Sequence, residues 1–211
     1  MMKLYGFDVS TPCNKVRYVA NKLGVDYEYI IINAFEGEHK LEEHIKRHPA
    51  GKVPVIDDDG FILFESNAIV KYLADKTNSP LYPKDLKQRA IIDQWMDFIS
   101  IHVANAVNKV FGNRIIFPKV GIEVDERSIQ DGLDFLDRFL PLLDNQLKNN
   151  EYLAGDKLSL ADFCLLSSID PLELIQVDIT TYPQLKAYQQ NLIAEDFYQK
   201  CFASYADCLK N

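Results

Sequence analysis

The run Gly51-Lys52-Val53-Pro54-Val55-Ile56-Asp57-Asp58-Asp59-Gly60-Phe61-Ile62-Leu63-Phe64-Glu65-Ser66-Asn67-Ala68-Ile69 decides the fold. Two apolar stretches, Val53 to Ile56 and Phe61 to Phe64, flank Asp57-Asp58-Asp59-Gly60, which is a hairpin signal. Pro54 opens the first strand, where it either lies at a sheet edge or adopts a cis turn. A cis Val53–Pro54 bond would leave the backbone N–H and C=O of Val53 ready to pair with an extended peptide. Ala68, Ile69, Tyr72 and Leu73 then share one face of a closing helix.

Upstream, Lys3 to Phe7 reads as a first strand. Val16, Ala20 and Leu23 recur at helical spacing, and Gly24 stops that helix. Tyr27 to Ile32 is β-branched and aromatic, so a buried strand is expected. His39 to Arg47 reads as a short polar helix. Residues 1–76 therefore run β-α-β-α-β-β-α.

Downstream, the pattern is helical only. Residues 77–85 contain Asn78-Ser79-Pro80 and Pro83 and read as a linker. Residues 86–211 are expected to form one all-helical domain. Ile92, Trp95, Ile99, Val103, Ala106 and Val110 mark one long stripe from Lys84 to Phe111, with Gly112 and Pro118 expected to break it. A second long helix is expected from Val124 to Lys148, kinked at Pro141. Ser159 caps a further helix, Asp162 reaches back as a capping-box acid, and Leu158 and Phe163 form a hydrophobic staple. Pro183 opens another helix, with Leu185, Tyr188 and Leu192 on one face.

The chain has 211 residues, 47% of them hydrophobic, which is enough for a substantial core. Its formal net charge of −8 argues against nucleic acid as a partner and against a polybasic membrane surface. Apolar runs such as Tyr29 to Ile32 fall far short of the ~20 residues a bilayer requires. No signal peptide is evident. Cys13, Cys164, Cys201 and Cys208 form no C-x-x-C and no zinc spacing, so free thiols in a reducing cytoplasm are expected, with no metal.

Four segments could carry chemistry. Ser10-Thr11-Pro12-Cys13 lies at the N-terminus of the first helix, where unpaired N–H groups and the helix dipole favour an anion. As a nucleophile Ser10 would need an adjacent base, and of the four histidines only His102 is plausibly placed. As a donor to a bound thiolate it needs none. A hydrogen bond to a charged group is worth about 1.5–3 kcal/mol, enough to lower a thiol pKa by about 1–2 units. Ser10 as a plain N-cap is the competing reading. Cys13 is either a nucleophile favoured by the helix terminus or a small buried apolar residue.

Gly51 to Val55 is the second segment. In the third, Glu65 and Ser66 could hold an amino-acid head group, the acid for the ammonium and hydroxyl and N–H groups for the carboxylate. The fourth is Gly37-Glu38-His39-Lys40, which with Lys52 supplies positive charge suited to a second carboxylate. Each of these alone reads equally as a turn, a cap or a solvated surface.

Taken in order, S-T-P-C, G-E-H-K, G-K-V-P, F-E-S-N-A-I and Y-L-A-G-D-K-L-S-L-A-D-F resemble a cytosolic glutathione S-transferase over nearly the whole chain. Serine before x-P-C is similar to the serine-type theta, delta and phi branches. The resemblance implies an α/β thioredoxin-like N-terminal domain and an all-α C-terminal domain. It implies reduced glutathione as co-substrate, with Ser10 as thiolate donor. Val53, before a cis Pro54, would pair with the cysteinyl backbone. Glu65 and Ser66 would hold the γ-glutamyl end, and His39, Lys40 and Lys52 would lie near the glycine carboxylate. Trp95, Phe98 and His102 would line the pocket for a small hydrophobic electrophile. A homodimer packed through the helix after Glu65 and the helix from Lys84 is implied as well. His48-Pro49-Ala50 departs from the usual Asn-Pro and is expected to alter the loop that carries Lys52.

Three functions follow. The first is conjugation of glutathione to electrophiles in detoxification, or reduction of an organic peroxide. The second is thiol-disulfide exchange through Cys13. The third is a non-catalytic binding module.

Overall fold

A computed structural model describes residues 1–202 and 204–209. The chain divides into two units. One comprises residues 1–82 together with the tail from Glu195, and the other spans Pro83–Ala194.

The first unit is built on a four-stranded sheet of order β2-β1-β3-β4. Strand β1 (Met2–Gly6) pairs in parallel with β2 (Tyr27–Ile31), with Leu4 opposite Tyr29. Strand β3 (Val55–Asp58) runs antiparallel to β1 and to β4 (Phe61–Phe64). The hairpin signal is met: Asp59 (φ 53°) and Gly60 (φ 92°) both take positive φ between β3 and β4, as a two-residue hairpin turn requires.

Helices α1 (Thr11–Leu23) and α3 (Ser66–Lys76) pack against one another. Val16, Val19, Ile69 and Leu73 are completely buried there. Between β2 and β3 lie a 3-10 turn at Glu38–Lys40 and the short helix α2 (Glu42–Arg47). Strand β2 is not the buried strand its composition suggested. It forms a sheet edge, and no residue of it is fully buried.

In the second unit, α4 (Leu86–Phe98), α5 (Ala104–Phe111) and α6 (Phe117–Lys119) follow one another through two π-helical turns at Ile99–Val103 and Gly112–Ile116. Gly112 and Pro118 therefore do not break the path. Gly112 keeps right-handed helical angles, at a propensity cost of only about 1 kcal/mol. Pro118 lies in a first turn, where its missing N–H has no partner to lose. Buried Asn113 ties the turn in place, donating to the Lys109 carbonyl at 2.8 Å and accepting from the Asp125 N–H at 2.7 Å.

Helix α7 (Glu126–Asn149) packs on α5 through Gly132. A Cβ there would sit 2.7 Å from the Val110 side chain and 2.8 Å from the Ala106 carbonyl, so the close approach needs glycine. Pro141 lies inside α7, and the helix continues through it. Pro141 and Asp137, whose carbonyl it frees, are both exposed to water. Helix α8 (Leu160–Ile169) is buried on every side, and α9 (Pro183–Ile193) packs on α7 and α8.

The tail corrects the expected 86–211 boundary. Helix α10 (Asp196–Gln199) and the 3-10 turn Tyr205–Leu209 belong with the first unit, because α10 packs on α1 and Tyr18 meets Phe197, Tyr198 and Phe202. Among the described residues, no helix is long and apolar enough to cross a membrane.

Candidate active site

The strand directions bring the four candidate segments of the first unit to one end of its sheet. Strands β1, β2 and β4 finish there and β3 starts there. The loop to Ser10 follows β1, the segment to Lys40 follows β2, Val53 and Pro54 precede β3, and Glu65 and Ser66 follow β4.

Specific contacts lock these segments together. The Ile32 N–H donates to the Gly6 carbonyl at 2.7 Å, and the Phe7 and Phe35 rings meet edge to face at 5.1 Å. Gly51 sits against the His39 backbone, where a Cβ would lie 2.8 Å from its carbonyl oxygen. His44 Nε2 bonds the Lys52 carbonyl at 2.8 Å. Because a carbonyl can only accept, Nε2 carries the proton. Lys15 Nζ reaches Asn67 Oδ1 at 2.5 Å, joining α1 to the start of α3.

Ser10 is the N-cap of α1 and is half-buried. Its Oγ accepts from the Cys13 N–H over a long 3.4 Å. That bond uses a lone pair and leaves the hydroxyl proton for an acceptor. No acidic residue in the first turn competes with an incoming anion.

Cys13 is fully buried. Burial pushes its thiol up to about 11, against the opposing pull of hydrogen bonds from Ser10 and from the Phe7 backbone. It is a neutral thiol at neutral pH, as the reading of a small apolar residue expected.

Val53–Pro54 is a cis bond, directly before β3. Glu65 is exposed and holds a positive φ of 69° at the entrance to α3, a strained backbone for a residue with a Cβ. Ser66, the first residue of α3, is half-buried. Lys40 and Lys52 are exposed, and His39 is half-buried with its Nδ1 atom sealed from water and without a hydrogen-bond partner. Desolvation, helped by Lys40 and His44, lowers the His39 pKa, so the positive charge of this corner rests on the two lysines.

The departure at His48 is absorbed locally. Its buried Nδ1 accepts the Ala50 N–H at 3.2 Å, as an asparagine side chain does in a turn, and its ring lies 4.6 Å from Phe64.

In the second unit, Trp95, Phe98 and His102 form a chain of rings, 5.6 Å and then 5.2 Å apart. Phe139 of α7 closes on Phe98 at 5.7 Å and on His102 at 5.4 Å. Beside them opens a cavity of about 530 Å³, and of the three expected residues only His102 lines it. Phe135 and Phe139 supply its apolar wall and Asn105 and Lys109 part of its polar lining. The α7 residues carried no motif, and only the apolar stripe of that helix signalled them. Among the described residues, no group of His, Cys, Asp or Glu is placed to hold a metal ion.

A cis-proline corner on a mixed four-stranded sheet, followed by an all-helical unit, defines the class of this chain, and the comparisons agree. Residues 1–75 match the glutathione S-transferase N-terminal domain and residues 98–196 the C-terminal domain. The chain is 32% identical to glutathione S-transferase 1 of Manduca sexta, over 100% of this chain and 96% of that one. It is 33% identical to glutathione S-transferase 1 of Zea mays, over 96% of each. A solved glutathione S-transferase-I bound with lactoylglutathione superposes with a TM-score of 0.86 at 33% identity, covering 95% of this chain and 97% of that one. The chain belongs to the glutathione S-transferase family.

Proposed function

We propose that this chain conjugates reduced glutathione to small hydrophobic electrophiles, with Ser10 stabilising the thiolate. The observation that carries this reading is the half-buried Ser10 hydroxyl at an anion-favouring helix terminus, beside a Cys13 thiol that is sealed and neutral. The glutathione thiol gives its proton to solvent. Its sulfur lone pair then forms a carbon–sulfur bond as the electrophile's leaving group departs or its double bond accepts the electrons.

The remaining contacts follow the charges. Lys40 and Lys52, with His39, face the glycine carboxylate, and Val53 pairs with the cysteinyl backbone. Glu65 takes the γ-glutamyl ammonium and Ser66 its carboxylate. His102, with Phe135 and Phe139, lines a cavity suited to a hydrophobic acceptor, and Trp95 and Phe98 extend the ring cluster next to His102 without lining that cavity. Thiol-disulfide exchange through Cys13 is disfavoured by its burial. Conjugation of this kind is detoxifying, and a reducing cytoplasm suits four free cysteines.

Ser10→Ala tests the reading. It is expected to raise the pKa of bound glutathione by about 1–2 units and to slow conjugation about ten- to a hundredfold. A thiol titration and rate equal to those of the parent protein would remove Ser10 from the mechanism.

A homodimer through α3 and α4 belongs to the same reading. It is supported by the exposure of Leu86 and Ile91 on α4, 81% and 45%. Sedimentation at micromolar concentration should show two chains, and a monomer would count against it.

A further inference from the structure

The tail runs back along α1, from its end to its beginning. Lys22 Nζ meets Glu195 Oε2 at 3.1 Å, and Asn21 Nδ2 donates to the Phe197 carbonyl at 2.9 Å. One turn earlier Tyr18 stacks on Tyr198 with ring centres 5.2 Å apart, and Arg17 Nη2 donates to the Cys201 carbonyl at 3.1 Å. The last contact reaches past the helix: the Tyr205 hydroxyl donates to the carbonyl of Val9, the residue before Ser10.

The loop between β1 and Ser10 has three carbonyls, and each accepts a hydrogen bond. The Phe7 carbonyl takes the Ser10 N–H at 2.9 Å, and the Asp8 carbonyl takes Asn14 Nδ2 at 2.8 Å. Arg17 Nη1 holds the Asp8 carboxylate at 2.7 Å. The Val9 carbonyl depends on Tyr205, which is 4% exposed.

The Val9–Ser10 peptide is planar, so its C=O and N–H turn together. Its N–H is held by Phe7 and its C=O by Tyr205. With both ends held, the plane sets where the Ser10 Cα sits, and the Asn14 N–H bond to the Ser10 carbonyl at 3.0 Å holds the next peptide, so the backbone that carries the side chain is fixed on both sides.

We propose that Tyr205 is a positioning residue for Ser10, and that the tail from Glu195 to Leu209 serves the glutathione site through it. The inference rests on the reading of Ser10 as thiolate donor. Without the Tyr205 hydroxyl, the Val9 carbonyl loses its partner in a buried setting, and the peptide plane gains freedom to rock. The Ser10 hydroxyl then spends less time aimed at the thiolate.

The test compares Tyr205→Phe, Ser10→Ala and Lys22→Ala in the full chain. Lys22→Ala cuts the exposed ion pair at the far end of the tail and serves as the control. Each protein is checked for folding by thermal denaturation. It is then saturated with reduced glutathione, and the bound thiolate is titrated with pH by its ultraviolet absorbance. Tyr205→Phe is expected to raise the midpoint by about half a unit and to lower kcat about threefold, the size of one net hydrogen bond. The KM for glutathione should stay within about twofold, and Lys22→Ala should leave the midpoint in place.

A midpoint moved by Ser10→Ala but not by Tyr205→Phe overturns the inference, even if Tyr205→Phe melts earlier, because a merely structural tail would do that. A midpoint unmoved by Ser10→Ala overturns the reading of Ser10, and Tyr205 falls with it. Amide hydrogen exchange at residues 8–14 gives a second measure. Faster exchange in Tyr205→Phe is expected, and unchanged exchange overturns the proposal.

Discussion

Among the described residues two α-helices begin with a serine cap, and the two serines differ in the partners that surround them. Ser159, at the start of α8, is buried and belongs to a closed network. Its N–H and its hydroxyl both donate to Asp162 Oδ2, at 2.7 and 2.9 Å. Asp162 Oδ1 takes the Leu153 N–H and the Tyr188 hydroxyl, each at 2.8 Å. Ser10, at the start of α1, is half-buried, has no acidic partner in its first turn, and accepts one long bond. The same residue at the same helix position is enclosed by partners in one place and left with one long bond in the other, which is what the proposed role of Ser10 requires. What separates them is the number of partners supplied by the rest of the chain.

The largest effect expected from this contrast falls on stability at α8. Asp162→Ala leaves the Leu153 N–H, the Ser159 N–H and the Tyr188 hydroxyl without their acceptor in a buried site. Their unpaid desolvation should cost about 3–5 kcal/mol. Urea denaturation would measure it, and a loss below about 1 kcal/mol would mean that water replaces the carboxylate. Ser10→Ala should divide the other way. Its long cap bond makes a stability loss of at most about 1 kcal/mol reasonable, against the much larger loss of rate. A severe loss of stability with an intact thiol titration would make Ser10 a second Ser159.

Local signals explain what the sequence made legible. The Ser159–Asp162 box, the Asp59-Gly60 turn, the Gly24 stop and the Ser10 cap each depend on neighbours a few residues away, and all are found. The corner that gathers Ser10, His39, Lys52, Val53 and Glu65 was legible as separate motifs. Its assembly follows from strand directions that the β-α-β-α-β-β-α order already constrains.

The misses are long-range. Nothing in Glu195 to Leu209 announces that the segment returns to α1, because the aromatic partner of Tyr198 lies far back in the chain at Tyr18. The edge position of β2 depends on sheet order rather than on its own β-branched residues. The helical path through Gly112 depends on α7 packing against it, which outweighs a propensity of about 1 kcal/mol.

His48 sharpens the comparison at its smallest scale, because it caps a turn as a serine or asparagine would but can also titrate. Its Nδ1 must stay unprotonated to accept the Ala50 N–H. Desolvation lowers its pKa in the folded chain, with Glu65 pulling the other way. The unfolded chain therefore binds the proton first as pH falls. The stability from neutral His48 is present above its unfolded value and drains away as pH falls through the folded one. His48→Asn keeps an acceptor for Ala50 that does not titrate, while giving up the ring contact with Phe64, worth about 1 kcal/mol. The variant should be slightly less stable at pH 7, yet lose less than the parent protein between pH 7 and pH 5. Urea midpoints for both proteins at the two pH values decide it. An equal acid-side loss would show that protonating His48 does not govern the acid-side stability, with the Ala50 N–H finding another acceptor.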